Sequence, residues 1–312
     1  MSSIERFSFP SSDRKTALAA YRRSPEGQPR AMLQISHGMC EYFLRYTEMA
    51  AYFAREGFVV FGHDHLGHGH SAATPEDLGF IASKGGADCL VEDVHALSLH
   101  MKEQHPDLPL ILFGHSMGSF VAREVLARYG ADYAAAVICG TAGPHTPTGA
   151  GKLLASLLIL FCGERHRSRL LKSISFAGYN KKFEKGCDPN AWLSRDEALL
   201  HRYAEDPFCN YVFTLRAYRD LFTLLGRVSK KDWAARLPKD LPMLITGGEE
   251  DPVGGWGEGM RVVYERMRAA GCTRTELCLY PQLRHEIHNE PEKETVWKEL
   301  VAWMTQALHS SV

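Results

Sequence analysis

The run Gly114-His115-Ser116-Met117-Gly118-Ser119 constrains this chain more than any other stretch. It follows an apolar run, Leu110-Ile111-Leu112-Phe113, and opens a helical pattern over residues 117–129 that Gly130 closes. Glycine and serine are common, so G-x-S-x-G alone is a weak signal. A strand before it and a helix after it are the context that gives it meaning. A serine on so sharp a strand-to-helix turn projects its hydroxyl above the edge of a sheet. Gly114 and Gly118 keep side chains out of the tight space around it. The N–H of Met117 then lies at the start of a helix, where the dipole favours negative charge. A serine hydroxyl is a poor nucleophile unaided. It needs a base, and the base needs an orienting carboxylate.

Such a turn requires a sheet, and the rest of the chain predicts one. Apolar runs at 32–36, 58–61, 110–113, 135–139, 242–246 and 276–280 alternate with helical patterns at 46–57, 86–104, 117–129, 259–270 and 292–308. Strands separated by helices pair in parallel, because a parallel partner needs a crossover. The fold class predicted is therefore α/β, a mostly parallel sheet flanked by helices. Residues 5–10 and 16–22 alternate around the turn cluster Ser11-Ser12-Asp13-Arg14 and read as a lead-in antiparallel hairpin.

The alternation breaks from Pro144 to about Ala235, a stretch too long for a plain loop. It reads as a helical cap, residues 144–235, inserted into a core of residues 1–143 and 236–312. Within it, Leu153-Leu154-Ala155-Ser156-Leu157-Leu158-Ile159-Leu160-Phe161 is apolar almost all round. Such a helix is expected to pack between cap and core; the functional alternative is that it lines an acyl channel or touches lipid aggregates.

The base and its carboxylate are sought in the loops after later strands, because in this fold class the order is Ser, then Asp or Glu, then His. Gly247-Gly248-Glu249-Glu250-Asp251-Pro252-Val253 offers three carboxylates. Pro281-Gln282-Leu283-Arg284-His285-Glu286-Ile287-His288 offers two histidines, of which His285 lies nearer the strand end and is assigned the base. A second N–H donor is expected from the loop Ser36-His37-Gly38-Met39-Cys40-Glu41, at Met39. His37 precedes the serine and reads as a structural hydrogen-bonding residue.

The segment His63-Asp64-His65-Leu66-Gly67-His68-Gly69-His70 holds four histidines in eight residues. Clustered histidine is a metal signal. The H-x-H-x-D-H motif of the metallo-β-lactamase fold has an aspartate ligand where Gly67 stands here. The glycines and Ser71 read instead as a tight turn, so no metal is expected.

Taken together, these segments resemble the α/β-hydrolase family, and within it the monoacylglycerol lipase and lysophospholipase group, the serine aminopeptidase-like hydrolases. The matching stretches are His37-Gly38-Met39-Cys40-Glu41, Asp64-His65-Leu66-Gly67-His68-Gly69-His70-Ser71, Gly114-His115-Ser116-Met117-Gly118, Gly248-Glu249-Glu250-Asp251-Pro252-Val253 and Arg284-His285-Glu286-Ile287-His288-Asn289-Glu290. The resemblance implies the α/β-hydrolase fold with its inserted cap. It implies Ser116 as nucleophile, Asp251 as triad acid with Glu249 the fallback, His285 as base, and the N–H groups of Met39 and Met117 as oxyanion hole. Glu41, Arg45 and His288 match positions that hold a glycerol head group. Tyr42 departs from the group's H-G-x-x-E-H segment, which has His there. The activity implied is hydrolysis of carboxylic esters of small monoacyl lipids through an acyl-enzyme, with no metal or organic cofactor; the alternatives are a peptidase, thioesterase or acyltransferase on the same fold, or a non-catalytic ligand-binding relative.

Composition narrows the setting. Of 312 residues, 45% are apolar and 23% charged, as in ordinary soluble globular chains. Lys plus Arg gives 36 and Asp plus Glu 37, so there is no electrostatic reason to expect a nucleic-acid partner. A small ester or lipid is the partner expected, with transient membrane-surface contact through the cap. The first residues show no secretory pattern, and eight scattered cysteines without CxxC pairs read as reduced thiols, which points to the cytoplasm.

Overall fold

The computed structural model describes residues 3–144 and 147–309. Met1 and Ser2, the start of the stretch that shows no secretory pattern, and His145 and Thr146, inside the expected cap, lie outside the described residues. The chain runs β1 (Glu5–Pro10), β2 (Ala17–Arg23), β3 (Ala31–Ser36), α1 (Thr47–Arg55), β4 (Phe58–His63), α2 (Gly86–Gln104), β5 (Leu110–His115), α3 (Met117–Tyr129) and β6 (Ala135–Cys139). Then come α4 (Thr148–Cys162), α5 (Arg169–Ser175), α6 (Glu197–Glu205) and α7 (Leu215–Val228). The sheet resumes with β7 (Met243–Gly248), followed by α8 (Glu258–Ala269), β8 (Thr275–Tyr280) and α9 (Lys293–His309).

The eight strands form one sheet in the order β1-β2-β4-β3-β5-β6-β7-β8. The first two pairings are antiparallel, as the hairpin reading predicts, and every later pairing is parallel. β3 has β4 on one side and β5 on the other. The connection leaving β3 runs one way and the one entering β5 the other, so their carboxyl ends flank a topological switch point. Open α/β sheets bind ligands in such a crevice.

Strand side chains alternate between two cores, because successive Cβ atoms point to opposite faces. Met32, Leu110, Leu112, Ile138 and Met243 pack on the side of α2, α3 and α8. Leu33, Ile35, Ile111, Phe113 and Val137 pack on the side of α1 and α9. Strands β5 and β7 run two residues beyond their apolar cores, through Gly114-His115 and Gly247-Gly248. Parallel neighbours keep hydrogen-bonding after the hydrophobic signal has stopped.

Between β6 and β7 the chain is helical, with one isolated bridge, Arg167 to Thr214, among the described residues. Its helices do not form a detached layer. α7 buries Ala217, Tyr218 and Leu224 in the main core and packs on α3 and α4. α4 departs from the expected packing between cap and core. Only its Ala155 is fully buried, and Leu160 and Phe161 are 77% and 85% exposed. Leu154, Leu158 and Ile159 face the core cluster, while Leu153, Leu157, Leu160 and Phe161 face out.

The histidine-rich turn is a packing unit. Asp64 accepts hydrogen bonds from Phe43 N, His70 N and the Tyr21 hydroxyl, and Ser71 Oγ donates to the Asp64 carbonyl. His37, His63, His65 and His68 are buried with ring centroids as close as 4.3 Å. Among the described residues no group of three or more His, Cys, Asp or Glu side chains converges as a metal site does. Burial pushes His63 down to about 3, so the folded chain holds that ring neutral. The unfolded chain takes up this proton below about pH 6.5. Stability is therefore intact above that pH and lost as pH falls towards 3, by about 1.4 kcal/mol per unit. The gap in unfolding free energy between pH 7.5 and pH 5 is expected to narrow by about 2 kcal/mol in His63→Leu, measured by urea titration. An unchanged gap refutes this.

Candidate active site

Ser116 sits between β5 and α3 with φ 51° and ψ −121°. An L-residue rarely adopts this backbone, which costs about 1–3 kcal/mol and persists only where the surroundings enforce it. Here Ser116 N donates to Cys139 O at 3.0 Å, and Ser119 N and Oγ both donate to Ser116 O. The two motif glycines are demanded by contact. A Cβ on Gly114 would lie 2.5 Å from Gly118 O and 2.6 Å from Ala122 Cβ. One on Gly118 would lie 2.5 Å from His37 O and closer still to Ser36 O.

The loop after β3 runs against that turn. His37 is buried; its Nδ1 donates to Gly38 O at 2.8 Å and its Nε2 accepts from His65 N at 2.9 Å. Burial holds it near 3, so it is a neutral strut rather than a base. Cys40 takes φ 54° and turns the chain back, so that Gly38 N donates to the Glu41 carboxylate. Met39 and Met117 line the same cavity as Ser116. The N–H of Met117 belongs to the first turn of α3, where backbone donors have no intrahelical acceptor.

Of the three carboxylates after β7, Glu249 is exposed and pairs with Arg261 at 3.3 Å, and Glu250 is 4.0 Å from Arg284. Asp251 alone is fully buried. Its Oδ1 accepts from Val253 N at 2.8 Å, and its Oδ2 lies 2.9 Å from His285 Nδ1, with no other partner for Oδ2 or Nδ1 among the described residues. His285 is itself buried in the cavity wall, its ring 4.7 Å from that of His115 and 5.1 Å from that of Trp192.

An ion network runs from the cavity lining, at Glu41, His115 and Glu286, to Arg45 and Tyr46 behind it. Glu41 Oε1 accepts from the Tyr46 hydroxyl at 2.8 Å and faces His115 Nδ1 at 3.1 Å. Arg45 bridges Glu41 at 2.8 Å and both oxygens of Glu286 at 2.8 and 2.7 Å. Burial would raise Glu41, but His115 and Arg45 hold it well below the usual carboxylate range. Burial would lower His115, and Glu41 reverses this and holds it above the ordinary histidine value.

The three expected head-group residues therefore occupy different places. Glu41 reaches the cavity lining with its carboxylate already engaged. Arg45 and His288 do not line it. His288 is fully buried and stacked on Tyr46, ring centroids 4.8 Å apart, and burial together with His115 holds it well below the ordinary value. Tyr42 also lies outside the lining. Its hydroxyl donates to Asp206 at 2.9 Å and its ring packs on Phe208, so the departure from histidine ties the inserted segment to the core.

The cavity holds about 600 Å³. Much of its wall comes from the inserted segment, including Phe176, Tyr179, Trp192, Tyr203 and Tyr218, none of which the sequence pattern singled out. Their only signal was an aromatic-rich stretch without strand periodicity. Cys40 also lines it, and burial pushes its thiol up to about 12, so it is a small apolar wall residue.

A parallel sheet with a strained serine turn after β5, an aspartate loop after β7, a histidine loop after β8 and a helical insertion after β6 is the α/β-hydrolase fold. The family model described as serine aminopeptidase, S33, matches residues 27–292. The chain belongs to this family. It is 28% identical over 288 residues to a monoacylglycerol lipase of Mycolicibacterium smegmatis, covering 91% of each chain. It is 28% identical over 289 residues to the monoglyceride lipase of Homo sapiens, covering 90% of this chain and 84% of that one. Among solved structures, a thermostable carboxyl esterase from Bacillus coagulans in complex with glycerol superposes with a TM-score of 0.92. The two are 30% identical over 99% of this chain and 100% of that one.

Proposed function

We propose that the chain is a serine hydrolase that cleaves carboxylic esters of small monoacyl lipids, of monoacylglycerol or lysophospholipid type, through an acyl-enzyme. Ser116 attacks the ester carbonyl while Nε2 of His285 takes its proton. Asp251 fixes the imidazole tautomer and stabilises the imidazolium. The N–H groups of Met39 and Met117 receive the oxyanion. Water then attacks the acyl-enzyme with the same base. The observation that carries this reading is the buried 2.9 Å pair of Asp251 and His285, whose histidine lies in the wall of the cavity that Ser116 lines.

An ester is favoured over a peptide with a free amino terminus. The two buried carboxylates of the lining, Glu41 and Glu286, are both engaged by Arg45, which leaves little negative field for a substrate ammonium. The relatives named monoacylglycerol or monoglyceride lipases and the glycerol-bound esterase support the lipid class. Residues 144–235 act as the cap, walling the acyl side. The outward Leu153, Leu157, Leu160 and Phe161 supply an apolar face for transient contact with a membrane surface, while no helix among the described residues is long and apolar enough to cross one. Eight free thiols support a cytoplasmic setting.

The test is a panel of acyl esters and aminoacyl anilides run on wild type and Ser116→Ala, with a fluorophosphonate label. Loss of both turnover and labelling in the variant, with esters preferred, is expected; labelling that survives the substitution overturns the reading. Across the panel, kcat/KM is expected to rise from acetyl to octanoyl, since each buried methylene adds about 0.8 kcal/mol. A flat or falling series refutes a lipid-shaped cavity.

A further inference from the structure

The loop that carries His285 does not stand alone. Its backbone is paired to residues 191–195 of the inserted segment: His285 N donates to Trp192 O at 3.3 Å and Glu286 N to Leu193 O at 2.8 Å. The Arg284 guanidinium donates to the carbonyls of Ala191, at 2.7 Å, and Ser194, at 3.2 Å. One fully buried carboxylate closes this seam from below. Glu290 Oε1 accepts from Arg284 N at 2.8 Å, and Oε2 accepts from Ser194 Oγ at 3.0 Å and Arg195 N at 2.9 Å. The result sets the Trp192 ring 5.1 Å from that of His285, tilted by 40°.

From this geometry we infer that Glu290 is a positioning residue for the proposed base, clamping residues 191–195 to the histidine loop so that Trp192 is held against His285. The inference rests on His285 being the base. All three donors to Glu290 require an acceptor, so the ionised carboxylate is the form that fits. The chemical use follows from the ring. His285 becomes an imidazolium as it takes the serine proton, and a tryptophan face within about 6 Å attracts that cation. The attraction is present in the transition state and weak before it, so it favours turnover rather than substrate binding. A loosened clamp displaces the base, and a displacement of about 1 Å can cost 10²-fold in rate.

The test uses the full chain with a short soluble ester, reading kcat and KM separately, together with tryptophan emission against pH. Protonation of an imidazole beside an indole quenches it, so Trp192 reports the His285 contact. In Glu290→Gln an amide NH₂ faces N–H or O–H donors, and kcat is expected to fall about 10- to 100-fold with KM within twofold. The pH-dependent part of the emission should shrink towards that of Trp192→Phe. Ser194→Ala should move the same way by less, and Trp192→Phe should retain more kcat than Trp192→Leu. A kcat within twofold of wild type in both Glu290→Gln and Ser194→Ala overturns the inference, as does a raised KM at unchanged kcat. If Glu290→Gln does not fold, Ser194→Ala and Trp192→Leu decide by the same criteria. Ser116→Ala in the same assay separates the two claims. Full activity there sinks the serine reading, whereas a dead Ser116→Ala beside fully active clamp variants sinks the clamp alone.

Discussion

Asp251→Asn is expected to lower kcat about 10⁴-fold with little change in KM or melting temperature. The direction follows from the hydrogen bonds on the two carboxylate oxygens. Val253 N donates to Oδ1, so an amide at this position keeps its oxygen there and turns its NH₂ toward His285. The ring must then accept at Nδ1 and carry its proton on Nε2, the nitrogen left for the serine. The base would be present, correctly placed and in the wrong tautomer. Burial makes the effect large, since no other partner is available to Nδ1 or Oδ2 among the described residues. Initial rates over a substrate series, with a thermal melt beside them, measure it. A variant within tenfold of wild type would mean that Asp251 does not orient the base.

Gly118→Ala is expected to cost about 3 kcal/mol of stability and most of the activity. The obstacles to a methyl group are the carbonyl oxygens of Ser36 and His37, backbone at the end of β3 that cannot rotate away. Relief would push apart the serine turn and the loop bearing Met39. Gly149→Ala supplies the contrast. It sits in the first turn of α4 with nothing within 4 Å of the new carbon, and should be neutral or stabilising by up to about 1 kcal/mol. Equal behaviour of the two variants in urea unfolding would refute the steric account.

These two sites differ in how far the sequence foretold them. The glycines around Ser116 announced a tight turn, because G-x-S-x-G between strand and helix has few other uses. What they touch was not legible, since Ser36 and His37 meet Gly118 only through the pairing of β3 with β5. The loops after β7 and β8 were legible as locations. The choice among Glu249, Glu250 and Asp251 rested on resemblance, because three adjacent carboxylates differ by burial and not by pattern. The head-group positions show the opposite failure. Arg45 and His288 sit in the expected segments yet point into an ion network and a ring stack, which depends on long-range partners such as Glu286 and Tyr46. The inserted segment was least legible. Its helices follow no regular alternation, and α4, apolar on nearly every side, gives no clue to which side faces the core.

The turn at Ser116 has a wider consequence. Its left-handed backbone suits glycine better than serine. The hydroxyl is thus kept where the polypeptide would relax by discarding it. Trading Ser116 for glycine would release that strain at the cost of the nucleophile, so the inert chain should be the sturdier of the two.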